Sequence, residues 1–274
     1  MKYLITIFLL IIIVSLNGQN TKPPISGKAI YTFKHLRDTS LPNSIYTEKM
    51  LLMFNNFSYK YSSYISYVDD SISKSRTSNV LDYSKNSTQT KYTRRTIEEL
   101  FYFFDKNEYY FVHPWIGDKV VIENRIDKID WKILDSTKEV KGLNCALAEA
   151  KFKGRIYKAW FCPAISVNAG PWKLNGLPGL IIEAYDLSNS IQFSLESLEK
   201  NEQLIELPKA FKKVTKKEFD QLINSIKQNP SGFINAALNG SNTQNGSTAM
   251  QLNKSGSNTQ NKKNQINNPI ELNE

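Results

Sequence analysis

Histidine and cysteine are nearly absent from this 274-residue sequence: only His35 and His113, and only Cys145 and Cys162, occur. That excludes a zinc finger or ribbon, which needs four Cys/His donors at close spacing. No metal site and no cofactor are expected. Nor is there a Gly-x-Ser-x-Gly elbow, a His-Glu-x-x-His helix, a phosphate-binding glycine loop or a dinucleotide fingerprint. No catalytic residue is therefore assigned. His113 ends an aromatic run with Pro114 and Trp115, where a packed histidine is the ordinary outcome. The adjacent carboxylates Asp69-Asp70 and Glu98-Glu99 fit exposed turns better than a converging acid/base pair. A nucleic-acid motif is missing too, so the net charge of +9 names no partner by itself. Hydrophobic residues make up 41% of the chain, which excludes a wholly disordered protein.

Long apolar runs are confined to the N-terminus. After Lys2, residues Tyr3 to Leu16 are interrupted only by Thr6 and Ser15, and Gly18 follows. This pattern predicts a secretory signal over residues 1–18, cleaved after Gly18. As an uncleaved anchor the run is too short, because a span takes roughly 20 apolar residues. No other segment approaches that length, so no transmembrane span is expected in the mature protein. The expected destination is the periplasm or the outer-membrane surface, where disulfides are permitted.

What the sequence has in abundance is short runs of Tyr, Phe, Ile and Val punctuated by turn residues. Residues 19–238 read as one β-rich domain: a curved antiparallel sheet or open barrel with a C-terminal amphipathic helix. Strands are expected at 27–34, 50–54, 57–63, 100–104, 108–112, 119–124 and 130–135. Asn55-Asn56 and Asp105-Lys106-Asn107 supply hairpin turns. Residues 69–96, dominated by Ser, Thr, Asn, Lys and Asp, read as a polar excursion from the sheet.

The clearest local geometry lies between Leu143 and Cys162. A two-residue turn at Lys153-Gly154 pairs Phe152 with Arg155, and the same register sets Cys145 opposite Cys162. Counting from the turn makes the cysteines a non-hydrogen-bonded pair, whose Cα separation of about 4.5 Å suits a disulfide. Ala146, Ala148 and Ala150 then share a core face with Phe161, Ala159 and Tyr157. Leu147 with Trp160 and Glu149 with Lys158 face the other way. A redox role would call for a closer pair, such as Cys-x-x-Cys.

Thr215-Lys-Lys-Glu218 is a capping box, followed at helical spacing by Phe219, Leu222, Ile223 and Ile226. Lys209, Lys212, Lys213, Lys216, Lys217 and Lys227 form either the solvated face of this helical region or a patch for anionic headgroups. Residues 239–265, in which Asn, Gln, Ser, Thr and Gly fill 21 of 27 positions, are expected to be disordered. Residues 266–274 regain apolar character and are expected to dock back.

Gly176-Leu-Pro-Gly-Leu-Ile181, with Gly170-Pro-Trp-Lys-Leu-Asn before it, stands apart from its surroundings. It resembles the GLPGLI family of exported envelope proteins of Gram-negative bacteria, named for this hexapeptide. Trp131-Lys-Ile, Glu139-Val-Lys-Gly142, Gly154-Arg-Ile-Tyr-Lys-Ala-Trp160 and the closing Asn268-Pro-Ile-Glu-Leu272 resemble other blocks of that family in the same order. The resemblance implies an exported envelope protein and carries no assigned activity.

Two readings of the bend compete. Trp172, Leu174, Leu177 and Pro178 could form a lip for an apolar ligand or an envelope protein. Alternatively the bend is buried, with glycine allowing close backbone approach; the apolar strand after it favours burial. The functional expectation is a non-enzymatic binding protein, with a hydrolase of unrecognised type as the alternative.

Overall fold

The structure is a computed structural model that describes residues 26–75, 96–115, 118–229 and 266–272. The signal segment, most of the polar 69–96 stretch and the 239–265 segment lie outside the described residues.

Within the described residues one sheet of twelve strands dominates. The strands are β1 (Gly27–His35), β2 (Tyr46–Phe54), β3 (Ser58–Ser63), β4 (Glu99–Phe103), β5 (Glu108–Trp115) and β6 (Asp118–Arg125). Then come β7 (Lys132–Val140), β8 (Leu143–Phe152), β9 (Arg155–Cys162), β10 (Leu180–Asp186), β11 (Ile191–Lys200) and β12 (Lys212–Val214). Their order across the sheet is β12-β6-β5-β4-β3-β2-β1-β11-β10-β9-β8-β7.

Connectivity forces this sheet to curl. β6 and β7 stand ten places apart in the strand order, a span of roughly 48 Å in a flat sheet at about 4.8 Å per strand. Yet only residues 126–131 join them, and so short a connection reaches at most about 25 Å. The two ends of the sheet must therefore approach one another. Lys153, in the β8–β9 turn, accordingly makes a 2.8 Å ion pair with Asp127, just beyond β6. The product is an open barrel, mainly β as the strand pattern implies. The all-antiparallel expectation needs one correction: β12 pairs with β6 in parallel. Residues 201–211 allow this by crossing the outer face, where Ile205 and Leu207 pack with Leu51, Met53, Phe101, Val112 and Val121.

The inner face carries the main core. Strict alternation in β1 turns Ala29, Tyr31, Phe33 and His35 inward. Across the sheet Tyr59, Tyr102 and Tyr109 stack in a ladder, with ring centroids 4.2 and 5.0 Å apart. β8 and β9 pair in the register that the Lys153-Gly154 turn predicts, from Phe152–Arg155 to Ala146–Phe161. Both turn residues have positive φ, 48° and 75°, as a type I′ hairpin turn requires.

Among the described residues, two helices accompany the sheet. α1 (Tyr64–Ser75) lies on the outer face, packing Tyr64 and Tyr67 onto the Leu51–Phe101 cluster. Residues 69–75 thus complete a helix rather than begin a polar excursion. α2 (Lys216–Gln228) has its capping box formed: the Glu218 N–H donates to the Thr215 hydroxyl oxygen at 3.2 Å, and the Thr215 N–H donates to the Glu218 carboxylate at 2.7 Å. Phe219 and Ile223 seat it against Val120, Ile122 and Phe111 at one end of the inner face.

Candidate functional site

The Gly176–Ile181 bend is built by two glycines with different tasks. Gly176 takes φ +90° in open space, so conformation alone calls for glycine there. At Gly179 a Cβ would sit 2.3 Å from the Cys162 carbonyl oxygen, so space is the constraint. Leu180 and Ile181 then donate backbone N–H groups to Ile165 and Ala169 carbonyls at 2.9 and 3.0 Å, locking the bend to the preceding loop. Leu174 and Leu177 are buried in the core, Pro178 is exposed, and Trp172 is buried edge-on to Phe152. Of the four candidate lip residues, then, the structure gives Leu174 and Leu177 no surface. Trp172 reaches a cavity.

That cavity, about 310 Å³, opens on the inner face. Phe33, Met50, Tyr61, Trp172 and Phe193 are among its walls, with His35, Arg37 and Thr96 as its polar members. Phe33 and Phe193 stack at 4.9 Å. Tyr61 is shut off from solvent, and its hydroxyl has no hydrogen-bond partner. Burial pushes that phenol well above its usual range, so it stays a protonated donor. The Arg37 guanidinium lies 3.4 Å from the centre of the Tyr46 ring. Behind the lining, Glu48 accepts hydrogen bonds from the Tyr46 hydroxyl and, at 2.5 Å, from the Thr96 hydroxyl. This carboxylate is committed to internal partners.

The C-terminal segment supplies the remaining wall through Ile266, Pro269 and Ile270. Its anchor is Arg155, which donates to Asp186 at 2.8 Å, to the Asn268 side chain, and to the carbonyls of Pro269 and Ile270 at 2.6 and 3.2 Å. Asn268 further donates its side-chain amide to Leu36 O at 2.7 Å and its backbone N–H to Arg37 O at 3.1 Å. His35 Nε2 lies 2.7 Å from Asn268 O, and Lys173 pairs with Glu271 at 2.6 Å. Sequence reading missed Arg155, Asp186 and the cavity wall they hold. The signal available was an arginine immediately after a tight turn, ahead of alternating core residues.

A second cavity of about 280 Å³ lies beside α2, lined by Tyr109, Phe111, Ile122, Phe219, Lys173 and Glu271 among others. The Lys173–Glu271 pair thus belongs to its wall. His113 sits nearby against Phe219, with Nδ1 2.7 Å from Pro114 O and Nε2 3.9 Å from Glu98. Of the lysines read as a possible headgroup patch, Lys213 and Lys216 pair with Glu123 and Asp220.

The structure holds Cys145 and Cys162 as buried free thiols, not as the expected bridge. They lie one step beyond the Ala146–Phe161 pair, and Cys145 Sγ is 3.0 Å from Leu143 O. Burial, and then the neighbouring Cys162, push the Cys145 thiol up.

Residues 115–183 match the model of a family described as a protein of unknown function (Porph_ging). The matched stretch runs from the end of β5 into β10, and so holds the cysteine hairpin and the glycine bend. No curated protein matches the chain. Among solved structures it is similar to PNGF-II in two crystal forms. In the P21 form, 12% identity and a TM-score of 0.53 extend over 73% of this chain and 33% of that one. The C2 form gives 13% and 0.51 over 72% and 32%. This chain therefore spans about a third of the PNGF-II chain, and the likeness is one of fold.

Proposed function

We propose that this chain is an exported, non-enzymatic protein of the bacterial cell envelope, of the GLPGLI type, that holds an apolar ligand on the inner face of its open barrel. The observation that carries the reading is the cavity of about 310 Å³ walled by Phe33, Met50, Tyr61, Trp172 and Phe193. Pockets of this kind hold ligands chiefly by burial, at roughly 25 cal/mol per Å² removed from water. A concave site of this volume favours a small ligand over a protein partner, which would need a broad exposed surface. The N-terminal signal pattern and the ordered family blocks support the envelope assignment.

The test is titration of the mature protein with N-phenyl-naphthylamine, a neutral apolar fluorophore. Saturable one-to-one binding with a rise in Tm is expected. Absence of saturable binding overturns the reading. Hydrolysis of a small ester that disappears in His113→Ala would replace it with an enzyme.

A further inference from the structure

We infer that the ligand of the inner-face cavity is an amphipathic anion, an apolar chain or ring bearing a single carboxylate-type head. The inference rests on the apolar-ligand reading above and adds the headgroup. Two independent observations point to it. First, Arg37 lines a mainly apolar cavity, beside His35 and Thr96, and among the described residues no carboxylate lies within ion-pair distance of it. It is half-buried with its guanidinium over the Tyr46 ring, so it is held in place before any ligand arrives. A guanidinium so placed matches the planar geometry of a carboxylate. Second, Tyr61 belongs to the same wall and its hydroxyl has no hydrogen-bond partner; that oxygen is itself closed off, so a side-chain shift would have to bring it to a ligand oxygen.

The other charged groups near the cavity are accounted for. Glu48 lies close enough to Tyr61 to raise its pKa, but its oxygens take the hydrogen bonds of Tyr46 and Thr96. Asp186 is spent on Arg155, Ser188 and the Ile191 N–H. His35 is held toward its neutral form, chiefly by burial. Arg37 is thus the cation that an incoming head would meet. The stacked Phe33–Phe193 pair, Met50 and Trp172 would take the apolar body.

The experiment compares octanoate with octanol on the full mature protein at neutral pH, by calorimetry and by change in Tm. The two probes share an apolar chain and differ only in the head. Octanoate is expected to bind at least ten-fold more tightly. Arg37→Gln should erase that preference by weakening octanoate far more than octanol, and Arg37→Lys should retain most of it. Tyr61→Phe should weaken both probes several-fold. Equal binding of the two probes to wild type, or a preference that survives Arg37→Gln, overturns the headgroup and leaves the apolar reading standing. If neither probe binds, both fall. Should Arg37→Gln not fold, Arg37→Met takes its place: loss of the preference counts for the inference, and its survival counts against it.

Discussion

Arg155 Nη1 lies 2.8 Å from Asp186 Oδ2, and the same guanidinium donates to three groups of residues 268–270, so one buried side chain ties β9, β10 and the C-terminal segment together. Both partners are almost wholly buried, at 7% and 3% side-chain exposure. Removing one member of such a pair leaves an uncompensated charge. Arg155→Ala is therefore expected to lower stability by about 3–5 kcal/mol in urea unfolding. It should also expose residues 266–272 to limited proteolysis. A variant with unchanged proteolysis would show that the segment is held by its other contacts.

His35 makes the docked segment sensitive to acid. Burial depresses its pKa below the ordinary 6.5; Arg37 and Arg155 push the same way, while the Asn268 carbonyl and Asp186 oppose them. A base depressed in the folded state binds its proton more readily when unfolded. Its contribution is fully present above pH 6.5 and declines as pH falls through that value toward the folded pKa. Unfolding free energies measured from neutral to mildly acidic pH should decline over this window, and His35→Gln should flatten the decline.

The two glycines of the bend should respond differently to alanine. Gly176→Ala meets no atom and bears only the cost of positive φ, about 1–2 kcal/mol. Gly179→Ala drives a methyl into the Cys162 carbonyl, and about 3 kcal/mol or more is expected from overpacking. Paired Tm measurements check the order; the reverse order would mean that the loop, not the strand, yields.

Cys145 and Cys162 are proposed to bridge once the protein reaches an oxidising compartment. In oxidised material Cys145→Ala should then lower stability by about 2–4 kcal/mol, and the difference should vanish under reductant. Mass spectrometry finding both thiols free in periplasmic protein would sink this.

Much of the framework was readable because it is local. A two-residue turn fixes every pair in the β8–β9 hairpin, and a capping box with helical spacing fixes α2; neither needs a distant partner. α1 escaped because its Ser, Asp and β-branched residues have weak helix propensity. Tyr64 and Tyr67 hold it by packing onto the outer-face cluster around Leu51 and Phe101. β12 escaped for a similar reason, since Lys212-Lys-Val214 has strand character only through its pairing with Val120 to Ile122.

The sequence by itself determined the alternating strands, the glycine punctuation and the capped helix, because each depends on neighbours a few residues away. The tertiary structure alone decided that Leu174 and Leu177 are core, that Arg155 meets Asn268, and that Phe33, Tyr61, Trp172 and Phe193 share a cavity. Those groups lie far apart in the sequence: the pairing of β1 with β11 sets Phe33 beside Phe193, and the bend and the docked C-terminal segment complete the cavity from other parts of the chain.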